Sequence, residues 1–118
     1  MNQVILVGRL TKDPDLRYTP NGHAITNVTL ALNRRYKQNT GESITDFVPC
    51  IIWNRAAENT AQYCRKGALI GITGRIQTRV YDNQEQKRVY VTEVVADSVK
   101  FLESKRTDSN VASRTMEG

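Results

Sequence analysis

Four aromatic residues fall within or at the end of segments rich in β-branched residues, namely Tyr36, Phe47, Trp53 and Tyr81. Three of them have a cation within two positions: Tyr36 adjoins Arg35 and Lys37, Trp53 precedes Arg55, and Tyr81 follows Arg79. An unpaired base offers a flat π face and each phosphate a negative charge, so rings interleaved with cations fit a single-stranded nucleic acid. Duplex DNA hides its base faces. The pattern therefore predicts a surface that prefers single strands.

A second interpretation stays open for these rings. Trp53 and Phe47 could equally be aromatics of the core or of a subunit interface, and Phe47 has no adjacent cation. Stacking also serves RNA as well as DNA. The residues alone decide neither question.

Sequence motifs of catalysis are missing, so we predict no enzyme and no cofactor. GxxxxGK[ST], GxGxxG, HExxH and GxSxG do not occur. Asp13 and Asp15 are close, but Pro14 and the following LRYTPNG indicate a turn. A nuclease on the same scaffold would need clustered carboxylates for a divalent metal. A zinc site needs more ligands than this chain offers, which has two cysteines, Cys50 and Cys64, and one histidine, His23, in a turn. We therefore predict that both cysteines are reduced and lie in the core.

Composition bounds the class of protein. The 118 residues suit one domain, and Lys plus Arg outnumber Asp plus Glu by 17 to 12, which gives net charge +5 and favours a polyanionic partner. The longest apolar runs have four residues, against roughly 20 for a membrane span. Because the first residues lack the features of a secretory signal, we expect a cytoplasmic protein with no membrane partner.

Five segments have strand composition: 2–10, 22–36, 45–53, 68–81 and 87–101. Turn residues separate them at Pro20-Asn21-Gly22, at 39–41 and at Asp82-Asn83-Gln84. The alanine-rich segment 54–66 predicts one helix, with Ala57, Ala61 and Cys64 on one face, Asn54 as its cap and Gly67 as its left-handed stop. We expect Arg65 and Lys66 to complement its dipole.

The order of these elements predicts an all-β fold, a five-stranded Greek-key barrel with the helix between strands three and four, which is the OB-fold. Long strands in so small a domain must curl, and we expect Gly8, Gly71 and Gly74 to permit bends or bulges. We assign 1–103 to this domain and 104–118, where apolar periodicity stops, to a flexible tail.

Strand one is apolar in both phases, with Val4, Leu6 and Leu10 in one and Ile5 and Val7 in the other. One phase can fill the barrel. The other then needs a cover, which could be the helix, a crossing strand or another subunit.

Several motifs resemble the bacterial single-stranded DNA-binding protein family: NQVILVGRL, DPDLRYTPNG, NVTLALN, YCRKG, GRIQTR and YVTEVVAD, in order over residues 1 to about 102. The resemblance implies a cytoplasmic, nucleoid-associated homotetramer that binds and protects single-stranded DNA without marked sequence preference. It would act in replication, recombination, repair or uptake. By position, it implies stacking by Tyr36, Phe47, Trp53 and Tyr81, and phosphate contacts from Arg17, Arg35, Lys37, Arg55, Arg65, Lys66 and Arg79.

This sequence departs from that family at several positions. Tyr36, Phe47 and Tyr81 stand where well-known members have tryptophan, Pro49 and Gln77 where they have arginine, and Val48 where some have a histidine of the subunit contact. The acidic, phenylalanine-ended tip that recruits replication and repair proteins is missing, so a short specialised paralogue and a truncated chain are both open. A related alternative is an OB-fold protein that bridges DNA and other proteins, which predicts a dimer.

Overall fold

The computed structural model describes residues 1–34 and 44–103. It contains one helix, α1 (Asn54–Tyr63), and a sheet with strand order β1-β5-β6-β4-β3-β2. The strands of that described part are β1 (Val4–Leu10), β2 (Leu16–Tyr18), β3 (Ala24–Asn33), β4 (Thr45–Trp53), β5 (Leu69–Asp82) and β6 (Arg88–Phe101). Because β1 pairs with both β5 and β3, the sheet closes into a ring. The predicted OB-fold is confirmed.

The short strand β2 lies in the segment predicted as a turn and adds to this barrel. Leu16 to Tyr18 pair with Thr26 to Ala24 at the start of β3. The hairpin turns through Pro20-Asn21-Gly22, where the Gly22 N–H donates to the carbonyl of Thr19 at 2.8 Å. Three residues are too few for a period-two pattern to stand out, which is why β2 was missed.

The core follows the alternation of the strands. In β3 the buried residues are every second one, Ala24, Thr26, Val28 and Leu30, as period-two strands require. Leu30, Ile52, Ile70 and Ile72 are the largest side chains with almost no exposure, and Ala57 of α1 belongs to the same core cluster.

Two details of the helix differ from the prediction. It ends at Tyr63 rather than at Lys66, and its N-cap residue is Trp53, whose indole accepts no hydrogen bond from the helix; the Asn54 Oδ1 lies 3.2 Å from His23 Nδ1. The Asn54 cap is therefore wrong. Gly67 has a left-handed backbone, with φ of 91°, but it lies beyond the C-cap residue Cys64, whose backbone is extended, so Gly67 is not the stop of the helix.

Both cysteines are free and buried, as predicted. Burial raises the pKa of the Cys50 thiol to about 11, so it stays protonated at neutral pH. In the part of the chain that the structure covers, no helix is long and apolar enough to cross a membrane.

Candidate nucleic-acid interface

The strand register places the predicted site residues of three strands on one side of the sheet. On β4, Val48, Cys50 and Ile52 point into the barrel, so the alternate residues Phe47, Pro49, Ile51 and Trp53 point outward. Directly opposite residues share a face. Following the pairings, we define the outer sheet face by these residues of β4 together with Arg17, Ile25, Asn27, Thr29, Ala31, Val89, Val91, Glu93, Val95, Arg75, Gln77, Arg79 and Tyr81.

Three of the four predicted aromatics lie on the outer sheet face and are open to solvent. Phe47 is 63% exposed, Trp53 36% and Tyr81 47%. Phe47 and Trp53 are six positions apart on β4, which is roughly 20 Å along a strand. Each ring can therefore meet a different base. The alternative that Phe47 is a core aromatic is wrong for the single chain, while a role in a subunit interface stays open.

Arg79 and Tyr81 form a connected group with a buried acid. The Arg79 Cζ lies 5.8 Å from the centre of the Tyr81 ring, within cation–π range. Arg79 Nε also donates to Glu93 Oε2 at 3.1 Å, and Gln77 Nε2 donates to the same oxygen at 2.9 Å. The predicted phosphate contact at Arg79 thus has a carboxylate partner already.

Arg17 lies on the outer sheet face at its β2 edge. Both its Nε and its Nη2 donate to Asp15 Oδ2, at 3.1 and 3.0 Å. The two side chains are 75% and 69% exposed, so water competes for this pair and it contributes little to stability. Asp15 can turn away and leave Arg17 to another anion.

Arg55 follows Trp53 closely, on the first turn of α1. It lines a shallow depression with Leu16, Tyr18 and Glu58. The Tyr18 hydroxyl donates to Glu58 Oε2 at 3.1 Å, and this bond to a carboxylate raises the pKa of Tyr18. Asn54, between Trp53 and Arg55, has φ of 58°, an uncommon left-handed backbone for a residue other than glycine.

Arg65 and Lys66 lie apart from the outer sheet face. They line a groove of about 740 Å³ between the end of α1 and the end of β6, together with Tyr63 and Phe101, whose ring centres are 6.1 Å apart. Arg65 Nη1 donates to the carbonyls of Ala61 and Cys64 at 3.0 and 2.8 Å. A strand of DNA would have to leave the sheet face to reach them.

The remaining predicted residues, Arg35, Tyr36 and Lys37, lie outside the described residues, as does the predicted tail 104–118. Their roles stay predictions.

Glu93 also lies on the outer sheet face and was not among the predicted site residues. A signal was present, because Glu93 is an acid between the apolar residues Val91 and Val95 in the same phase of the strand. The other two acids considered, Asp13 and Asp15, are bound to the Lys66 N–H and to Arg17. Across residues 1–34 and 44–103, no group of three His, Cys, Asp or Glu could hold a metal ion.

Comparison with known families gives one match over most of the chain. A sequence model described as the single-strand binding protein family matches residues 1–102. This range contains every described strand, the helix and the whole outer sheet face.

Individual relatives agree with that match. The chain is 61% identical over 104 residues to the single-stranded DNA-binding protein B of Bacillus subtilis (strain 168), covering 88% of this chain and 92% of that one. It is 57% identical over 109 residues to a single-stranded DNA-binding protein of Halalkalibacterium halodurans, covering 92% and 65%. To one of Bacillus cereus it is 62% identical over 103 residues, covering 87% and 61%. The chain thus spans less than two thirds of these last two relatives.

Proposed function

The chain belongs to the single-strand binding protein family, and from that premise we propose that it binds single-stranded DNA across the outer sheet face, without marked sequence preference. Bound DNA would be protected during replication, recombination, repair or uptake. The observation that carries the proposal is the common orientation of Phe47, Trp53 and Tyr81, all solvent-exposed on one face with Arg17 and Arg79.

Stacking supplies the contact that is independent of sequence, because every base has a π face. In proteins that bind single strands, this family among them, one base stacked on an aromatic ring contributes roughly 1–3 kcal/mol. Phe47 and Trp53 would take bases along β4, and Tyr81 another on the β5–β6 hairpin. We propose the same stacking role for Tyr36.

Cations supply the second part of the interaction. Arg17 at the β2 edge, Arg55 beside Trp53 and Arg79 beside Tyr81 would pair with phosphates between the stacked bases. Arg35 and Lys37 would do the same next to Tyr36. Arg65 and Lys66, in the groove beyond α1, would be reached by DNA that continues around the subunit. Each phosphate paired in this way releases counterions, so affinity must fall with salt.

The proposal is tested by competition. We expect unlabelled oligo(dT) to displace a fluorescein-labelled oligo(dT) from the full chain at far lower concentration than a duplex of equal length. Log affinity should fall linearly with log salt concentration. An oligo(rU) of the same length measures whether RNA competes as well. Equal competition by duplex and single strand would overturn the proposal.

We further propose that the chain forms a homotetramer. Ile5 and Val7 of β1 are 71% and 56% exposed on the phase that faces away from the barrel, which is a costly place for large apolar side chains. In the described part of the chain, Val4 to Val7 pair only with β5, so the other edge of β1 can accept a strand. A second copy of β1 would cover both features and join two subunits, and two such pairs would make the tetramer that the family resemblance implies.

Solution mass measures this directly. We expect light scattering to give about four times the 13.4 kDa of the chain, and Ile5→Lys to lower that mass. Lysine at an apolar contact leaves a buried charge unpaired. The matched control is Tyr90→Lys, an equally exposed position on the β5–β6 hairpin. A dimer would favour the bridging role over a DNA-coating protein, and a monomer would contradict both.

A further inference from the structure

Glu93 is an acid on a face that the proposed function assigns to a polyanion. It is 4% exposed, and it lies on β6 in the outward phase, directly opposite Gln77 of β5. A carboxylate there repels phosphate, and burying one costs free energy unless it is paired. The hydrogen-bond partners of Glu93 must therefore explain why it is buried on this face.

Those contacts join Glu93 to two side chains of β5. Gln77 Nε2 donates at 2.9 Å and Arg79 Nε at 3.1 Å, both to Oε2. An ionised carboxylate only accepts, so the Gln77 amide must turn its nitrogen inward. The Arg79 side chain is 53% exposed, so the outer part of its guanidinium reaches solvent beside Tyr81.

This ion pair differs from the others in the described chain. Asp15, Asp46, Asp97 and Glu103 are each between 46% and 69% exposed, and can release their arginines into water. Glu93 has no such freedom, because it is held by two donors and closed off from solvent. Arg79 therefore carries a fixed counter-charge when DNA arrives.

We propose that Glu93 limits the affinity of the outer sheet face for single-stranded DNA by compensating the charge of Arg79 while holding its guanidinium beside Tyr81. The inference rests on the proposed function. Arg79 then contributes hydrogen bonds and an oriented flat group but little net charge. Binding is weaker and less sensitive to salt than the number of cations implies, which makes bound DNA easier to displace.

The test is Glu93→Gln, which removes the charge and keeps an oxygen acceptor for Arg79. We expect affinity for oligo(dT) to rise by about threefold or more at moderate salt. The substitution removes the carboxylate beside Arg79, and salt screens a buried charge poorly. The slope of log affinity against log salt should steepen by about 0.7, the value of one additional charge on a single strand. Weaker binding or an unchanged slope would overturn the inference.

Two variants separate this effect from simpler causes. Glu93→Asp keeps the charge, so the salt slope should stay at the wild-type value. Glu85→Gln makes the same chemical change at an exposed acid in the turn between β5 and β6, away from Arg79 and from the cations assigned to phosphates. If Glu85→Gln steepened the slope as much as Glu93→Gln, net charge would be the cause and the inference would fail.

A second measurement does not depend on the folding of Glu93→Gln. Arg55→Gln should flatten the slope by about 0.7, whereas Arg79→Gln should flatten it by less than half of that, because Arg79 is already compensated. Equal flattening overturns the inference. Phe47→Ala tests the binding face independently of Glu93. If Phe47→Ala keeps wild-type affinity, the proposed function fails; if it loses affinity while the salt slopes do not follow the prediction, only the role of Glu93 fails.

Discussion

A chain with both Phe47→Ala and Trp53→Ala is expected to bind oligo(dT) more weakly by roughly 2–6 kcal/mol, at roughly 1–3 kcal/mol for each base that loses its stacking partner. The rings are far enough apart on β4 to meet different bases, so the two losses should add. Anisotropy of a fluorescein-labelled oligo(dT) measures the loss without relying on Trp53 fluorescence.

The control for this experiment is an aromatic of similar exposure elsewhere. Tyr90 is 72% exposed and lies opposite Val80, on the other side of the β5–β6 hairpin from Tyr81, so Tyr90→Ala should change affinity much less. Phe47→Ala alone should leave the melting temperature nearly unchanged because the ring is mostly in water. A large fall in the melting temperature or the solution mass of Phe47→Ala would instead indicate that Phe47 packs at a subunit contact.

Much of the outer sheet face was predictable because strand alternation is a local property. The β4 sequence FVPCIIW shows which residues point inward once Cys50 and Ile52 are taken as core, and this fixes Phe47 and Trp53 on the opposite side. Side-chain direction follows from backbone geometry alone. The OB-fold could be predicted for the same reason, because the segments with strand composition and the single helix follow one another along the chain in the order typical of that fold.

What could not be predicted depends on pairing between distant segments. Glu93 becomes a partner of Arg79 only because β5 and β6 pair with Gln77 opposite Glu93. No local pattern of residues indicates where β6 changes phase. Val94 and Ala96 pack inward with β5, but after the register shift the inward residue is Val99, opposite Ile72. Asp97 is an extra residue on β6, with no partner on β5, and it reverses which alternate residues point inward. A search for period-two alternation does not detect such a residue.

Gly74→Ala is expected to destabilise the fold by about 1–3 kcal/mol or more, the usual cost of overpacking a filled site. A Cβ at position 74 would clash with the carbonyl oxygen of Val95, and it would lie 2.9 Å from the carbonyl carbon of Val95 and 3.0 Å from the Cα of Ala96. All three are backbone atoms of the adjacent strand, so no side chain can rotate to make room. Urea unfolding at fixed protein concentration measures the change.

Gly71→Ala on the same strand is the matched control. Its Cβ would meet Leu102, Leu6 and Val7 at 3.5–3.9 Å, which is ordinary contact. The β1–β5 ladder runs through Gly71 and Gly8 without a register shift, whereas the shift between β5 and β6 occurs at Thr73/Gly74. If both variants lost equal stability, general strand propensity would be the cause. If only Gly74→Ala loses stability, the close approach of the two backbones at the bulge sets the register of β5 and β6 that directs Glu93 outward. The DNA affinity of Gly74→Ala should then change along with its stability.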